Sequence, residues 1–259
     1  MYIHHLDPIL LHVGPLEIRW YGLVYVFGFF LTAWWMEYLR RKGKITLTKE
    51  EIWDFLFYIM LGVLAGARLF MIFWEPKIYL ANPLNLLKIW QGGMSFHGAF
   101  VGVLIAGWWY CRKKKVDFLQ IADVACIPAV FALALGRLAN FINGELIGRV
   151  WNGSWCVVFP QYDDSCRHPN MIYSFFQRMT VFAGLAWLSF WREWTPGFIF
   201  WNFVFWEGLG RIAMDFFRED IVYYGFSLGQ WMSLVMVVAA LWMFTQKYRH
   251  DWKKLLGKS

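Results

Sequence analysis

This sequence is short of polar chain. Only 17% of its residues are charged, and no polar interval is long enough to fold alone as a soluble domain. The longest, Gly144–Pro169, is a single loop. There are 8 prolines and 4 cysteines in 259 residues. No CxxC pair occurs, nor any His/Cys spacing suited to zinc. A GxSxG elbow is also missing. Ser95 and His97 stand two apart at a helix start and would not face each other, which argues against a serine hydrolase. Met1–Pro15 has no basic n-region and no small-residue cleavage site, so a cleaved signal peptide is not expected. Internal repeats and low-complexity runs are absent as well.

Apolar and aromatic residues are abundant instead. The chain is 59% hydrophobic and 21% aromatic, with mean hydropathy +0.41, against roughly 45–50% apolar residues in a soluble domain. Apolar segments recur near the ~20 residues needed to cross a bilayer, and lipid admits only helices or closed barrels. The expectation is an all-α polytopic membrane protein, one integral-membrane domain over residues 1–259 with about seven transmembrane helices. The spans fall at Arg19–Leu39, Ile52–Trp74, Met94–Cys111, Leu119–Ile142, Ile172–Trp191, Phe198–Phe216 and Phe226–Phe244. Gly62, Gly66, Gly98 and Gly102 suit close helix packing. Glu75–Gly92, with Pro76 and Pro83, reads as a short amphipathic arm in the interface.

The net charge of +7 comes from 25 Lys and Arg against 18 Asp and Glu. Basic residues cluster at the ends of apolar segments, which points to the positive-inside rule and not to nucleic acid. They crowd the turns after span one (Arg40, Arg41, Lys42, Lys44, Lys49) and span three (Arg112 to Lys115), and the tail after span seven. That puts the N-terminus outside and the C-terminus in the cytoplasm, which seven spans satisfy.

Against this background one stretch stands out, Gly136–Arg149, GRLANFINGELIGR. Arg137 and Asn140 lie one turn apart on one face in the outer half of span four, followed by Asn143, Glu145 and Arg149. Other ionisable groups share that depth: Tyr21 opening span one, Arg68 in span two, His97 in span three, His168 before span five, and Arg211, Asp215 and Arg218 toward the outer end of span six. Arg178 also sits within a span. Intramembrane charges are costly and usually mark a site. Several cations at one depth suggest an anionic ligand. Structural readings stand beside this one. Arg137 could pair with Glu145 or backbone carbonyls, Arg211 and Asp215 could satisfy each other, Arg68 could snorkel, and His97 could be a hydrogen-bonded core residue.

Gly136–Arg149 closely resembles the signature of the bacterial prolipoprotein diacylglyceryl transferases. Further pieces agree in order: Arg19-Trp-Tyr-Gly22, Gly92-Gly-Met-Ser-Phe-His-Gly98, Arg167-His-Pro169, Arg211–Arg218 and Ser227-Leu-Gly-Gln230. The resemblance covers nearly the whole chain. It implies a seven-helix enzyme of the cytoplasmic (inner) membrane, acting near the outer leaflet and calling for no metal or organic cofactor. Such an enzyme moves a diacylglyceryl group from phosphatidylglycerol to the lipobox cysteine in the signal peptide of a preprolipoprotein, the first step of lipoprotein maturation. It implies Arg137, Arg211, His97 and Tyr21 as catalytic residues, with Asn140, Asn143, Glu145, Arg68, Asp215, Arg218 and His168 about the substrate. The thiol could lose its proton to His97 or ionise in the cationic field alone. Two positions depart from the family pattern: Ala99 replaces the second glycine after the histidine, and Asp215 replaces a glutamate. A non-catalytic binder or transporter of anionic lipid, or a paralogue with another lipid donor, would show the same intramembrane arginines. Cys156 and Cys166 share the outside loop, where a disulfide could stiffen the approach to His168.

Overall fold

A computed structural model describes residues 1–13, 16–88 and 94–257, with the side chains of Val13, Leu16, Trp74, Phe96 and His97 outside the description. Ten α-helices order the described chain: α1 Trp20–Arg41, α2 Lys49–Leu69, α3 Met71–Trp74, α4 Pro76–Ala81, α5 Phe96–Lys114, α6 Phe118–Ile142, α7 Asn170–Trp191, α8 Phe198–Asp215, α9 Leu228–Gln246 and α10 Arg249–Leu255. Seven of them run for 18 residues or more. Four stretches are long and apolar enough to cross a membrane: α1, Lys49–Phe73, α6 and α9. The protein is thus a helical, polytopic membrane protein. Its exposed positions carry large apolar side chains, among them Phe30, Trp34, Ile105, Phe176, Val235 and Trp242, as contact with lipid requires.

The long helices track the expected spans with local differences. The first begins at Trp20 because Arg19 ends a strand. The second breaks at Phe70, where α2 stops and the short α3 follows. Short strands are also present outside the helices. β1 (Tyr2–Ile3), β4 (Val157–Val158) and β5 (Cys166–Arg167) form one sheet, with β1 parallel to β4 and β4 antiparallel to β5. β2 (Ile9–Val13) pairs with β3 (Leu16–Arg19), and β6 (Val222–Tyr223) with β7 (Phe226–Ser227). Tyr224 and Gly225 turn the last hairpin with φ of 52° and 87°, the left-handed pair that a two-residue hairpin turn demands.

The chain divides into two compact units, residues 33–121 and residues 1–32 with 122–259. In the first, Thr48 and Glu51 form a reciprocal cap on α2. α2 and α5 meet on the four glycines singled out above. A methyl group on Gly66 would lie 2.2 Å from the Gly98 carbonyl oxygen, and one on Gly102 would lie 2.0 Å from that of Gly62. Only glycine permits this approach, the small-residue packing expected where lipid leaves no hydrophobic drive between helices. Beyond α2, the described part of Glu75–Gly92, which ends at Lys88, forms α4 and a 3-10 turn, Pro83–Leu87, each started by a proline. Ile78, Leu80, Leu84 and Leu87 point away from the unit.

In the second unit, α1 and α6 touch where Gly28 faces Ala132. The start of α8 is held by a residue distant in sequence. Asp123 on α6 accepts the backbone N–H groups of Gly197 (2.7 Å) and Phe200 (2.6 Å), meeting donors that a helix start leaves open. α9 opens with a Ser227–Gln230 capping box and crosses α8 at Gly208. These contacts fix α8, which carries Glu207, Arg211 and Asp215.

Candidate active site

The signature stretch ends α6 and turns out of it. Asn140 and Asn143 both donate to the Glu145 carboxylate, each at 3.2 Å, and the Glu145 N–H returns to the Asn140 carbonyl at 2.9 Å. Gly144 and Leu146 take left-handed φ values of 65° and 58° on either side of Glu145. Glu145 is therefore the knot of the turn. It binds the asparagines and not Arg137. Asn143 Oδ1 is buried and has no hydrogen-bond partner among the described residues.

Arg137 lies one turn before Asn140, half-buried. Among the described residues its guanidinium makes no hydrogen bond and no ion pair. It lines a small cleft with Asn170, Ser174, Gln177 and Arg178 of α7, and Arg211, Met214 and Asp215 of α8. Arg178 is buried and paired with Glu207. Arg211 Nε stands 3.8 Å from Asp215 Oδ2, and Asp215 also accepts from the Ser227 hydroxyl at 3.1 Å. The shorter acid at 215 thus reaches both α9 and its own i−4 arginine. Gly229 makes room for them: a methyl group there would lie 2.8 Å from Arg211 Nη2 and from Asp215 Oδ2.

The charges of Arg178, Arg211, Arg218 and Glu207 all act on Arg137. Arg218 follows the end of α8, so helical periodicity does not place it. It stands 3.6 Å from Asp220, and its carbonyl accepts Arg149 Nε at 3.1 Å. With Arg218 neutralised by Asp220, three arginines face two carboxylates. The cleft keeps one net positive charge, suited to a monoanion.

The loop over residues 144–169 is woven onto the end of α8. Arg149 N–H donates to Phe217 and His168 N–H to Arg149. Arg167, buried, pairs with Asp163 and Glu219 and donates to the Gly148 carbonyl at 3.1 Å. Asp163 holds the Arg167 guanidinium above its usual range, and Arg167 holds the Asp163 carboxyl below its own. His168 stacks on Trp151 (4.4 Å between rings, 8° between planes), meets Phe217 edge-on and lies 3.2 Å from the Tyr173 hydroxyl. Desolvation pushes its pKa below 6.5. Cys156 and Cys166 are disulfide-bonded, Cα to Cα 5.4 Å, across the β4–β5 pair.

The remaining expected residues are distributed as follows. Tyr21 accepts a hydrogen bond from the Tyr25 hydroxyl at 3.1 Å. Arg68, in residues 33–121, is buried. It donates to the carbonyls of Asn85 (2.6 Å), Lys88 (2.7 Å) and Leu86 (3.1 Å), which ties down the arm. His97 belongs to α5, and its side chain lies outside the described residues. Sequence reasoning noted Arg178 only as a charge within a span and did not single out Glu207. Two opposite charges on neighbouring apolar spans were the available signal, since such groups pair. Asn170, Ser174 and Gln177 were missed because no charge marks them.

A helical protein with several stretches of bilayer-crossing length and a cleft lined by arginines is, as a class, a polytopic membrane protein. The comparisons identify which one. The prolipoprotein diacylglyceryl transferase family matches residues 8–246. A phosphatidylglycerol–prolipoprotein diacylglyceryl transferase of Nitrosomonas europaea is 40% identical, with 98% of this chain and 94% of the relative covered. Proteins of the same name from Geobacter sulfurreducens (38% identical, 94% and 96% covered) and Rickettsia felis (37%, 93% and 97%) align as fully. The chain belongs to the prolipoprotein diacylglyceryl transferase family, and it is a transferase.

Proposed function

We infer that this chain carries the diacylglyceryl group of phosphatidylglycerol to the lipobox cysteine of a preprolipoprotein, with the Arg137 cleft as its phosphate site. The observation that carries the reading is the Arg137 guanidinium. It is half-buried between apolar helices, next to two more arginines, and has no protein hydrogen-bond partner among the described residues. Such a group retains its hydrogen-bonding capacity for a ligand. Arginine stays charged at this depth and presents a fork that fits two phosphate oxygens.

In the reaction a thiolate attacks the diacylglyceryl carbon. A carbon–sulfur bond forms as the carbon–oxygen bond to phosphate breaks, and glycerol phosphate leaves with the bonding pair. The phosphodiester carries one negative charge and the departing monoester gains a second. Arg137 and Arg211 stabilise that growing charge, an interaction stronger in the transition state than in the bound lipid. Glu207 and Asp215 orient the cations and hold the net charge near that of the substrate. Glu145 fixes Asn140 and Asn143 beside the site. Tyr21 and His168 stand at its approaches. The incoming thiol, near pKa 8.5 in isolation, ionises either by giving its proton to His97 or in the cationic field. Turnover by His97→Gln separates these routes: loss assigns the base, and retention assigns the field.

One domain of seven spans, with N-terminus outside, C-terminus in the cytoplasm and the cleft toward the outer leaflet of the cytoplasmic membrane, accounts for the seven long helices and the charge pattern. The Cys156–Cys166 bond supports a loop outside the reducing cytoplasm. The test is purified protein with labelled phosphatidylglycerol and a lipobox peptide. A thioether product is expected with Cys at the acceptor position and none with Ser. Normal turnover by Arg137→Ala would overturn the phosphate-site assignment.

A further inference from the structure

Three polar side chains of the cleft have no part in the charge network. Asn170, Ser174 and Gln177 recur at four- and three-residue spacing, so they form one stripe on α7, and all three line the cleft beside Arg137 and Arg211. Asn170 is 2% exposed and Ser174 4%. Asn170 Oδ1 is buried with no hydrogen-bond partner, and among the described residues the Ser174 side chain makes no hydrogen bond. Gln177 donates from Nε2 to the Trp206 carbonyl at 3.3 Å, which leaves its oxygen unused. Gly210 makes space for it, since a methyl group there would lie 2.0 Å from Gln177 Nε2. Placing three amide and hydroxyl groups along the cleft side of a largely apolar helix, with hydrogen-bonding capacity left over, is costly unless a ligand completes it.

The unused capacity is uncharged and mixed. Amide oxygens accept, while hydroxyl and amide N–H groups donate. That does not suit a second anion, nor an acyl chain. It suits a small polyol whose hydroxyls both donate and accept. We propose that Asn170, Ser174 and Gln177 form the subsite for the free glycerol of the lipid headgroup, and so select a hydroxylated phosphodiester over others of equal charge. This rests on the reading of the Arg137 cleft as the phosphate site. The arginines hold the charge common to all anionic phospholipids, and the α7 stripe reads what distinguishes one from another. A site built to hydrogen-bond a hydroxyl rejects analogues without it more strongly than an apolar pocket rejects an added one.

The experiment pairs molecules of equal charge. Initial rates are measured with phosphatidylglycerol and with phosphatidylmethanol as donors. Inhibition is measured with glycerol phosphate and with methyl phosphate. The wild-type protein should favour the glycerol member of each pair. Asn170→Leu, close in volume, should lower kcat/KM for phosphatidylglycerol roughly tenfold and bring the two inhibition constants together. Ser174→Ala should move the same ratios in the same direction by less, and serves if Asn170→Leu folds poorly. Unchanged ratios in both variants would overturn the proposal, as would an equal loss on both donors. Arg137→Ala is the control. If it is fully active, the phosphate site itself is wrong. If it is inactive while the Asn170→Leu ratios stay at wild-type values, only the glycerol subsite falls.

Discussion

Arg137 and Arg68 are both arginines in apolar helices, in different compact units, and the sequence offered both as candidate ligands for an anion. Their surroundings differ. Arg68 is 4% exposed and spends its guanidinium on three backbone carbonyls of the arm. Arg137 faces a cleft lined mostly by charged and polar groups, with no protein hydrogen bond of its own among the described residues. Burial of an arginine therefore does not identify a site. What identifies it is whether the protein has already used its donors.

The largest effect that tests this contrast is on activity. Arg137→Ala should lower kcat/KM by about a hundredfold or more, and Arg137→Lys should restore little, because an ammonium cannot reproduce the fork. Thermal stability should hold or rise, since no protein hydrogen bond is lost and a poorly solvated charge is removed. Arg68→Ala should do the reverse. Losing charge-assisted bonds to carbonyls that then stay buried costs on the order of 2–4 kcal/mol, read as faster proteolysis within residues 76–88 and an earlier unfolding transition. Its activity should fall less than that of Arg137→Ala. Equal behaviour of the two variants in both assays would erase the distinction.

A smaller effect concerns the loop over residues 144–169. Reduction of Cys156–Cys166, or the double Cys→Ser variant, releases a closed loop that contributes about 2–3 kcal/mol of chain-entropy stabilisation. Proteolysis between residues 150 and 167 should accelerate, with activity declining as His168 loses its platform on Trp151. The smallest effect is on acid sensitivity. Desolvation lowers the His168 pKa from 6.5, so the folded loop disfavours the proton. Its contribution is intact above pH 6.5 and is lost as pH falls through the lower folded value. Asp163, lowered from 3.8 by Arg167, adds a second loss at more acid pH with the same sign. Loop proteolysis by an acid-active protease, measured from pH 8 to pH 2, should rise toward acid. His168→Phe should remove the first step and leave the second.

Much of the fold was legible. Apolar runs of bilayer length gave the long helices within a few residues, and the four glycines marked the α2–α5 contact because no larger residue allows that approach. Arg137, Arg211 and Asp215, which line one cleft, were legible as candidates because charge in an apolar helix is conspicuous. The short strands were not, since two-residue pairings carry no periodicity. Nor was the Arg178–Glu207 pair, which joins two helices whose contact the sequence does not state. Asn143 and Glu145 were read as substrate groups. Their mutual bonds depend on left-handed turns at Gly144 and Leu146, and at leucine no residue type signals such a turn.

The sequence by itself determined that this chain crosses a membrane, that it carries arginines at depth, and to which family it belongs. These depend on composition, segment length and residue order, which survive without coordinates. Only the tertiary structure decided which arginine spends its donors on backbone carbonyls and which makes no protein hydrogen bond among the described residues. A guanidinium has five donors, and their disposition depends on carbonyls and carboxylates brought from distant parts of the chain. Arg68 takes carbonyls from residues 85, 86 and 88, whereas Arg137 faces a cleft lined by α7 and α8.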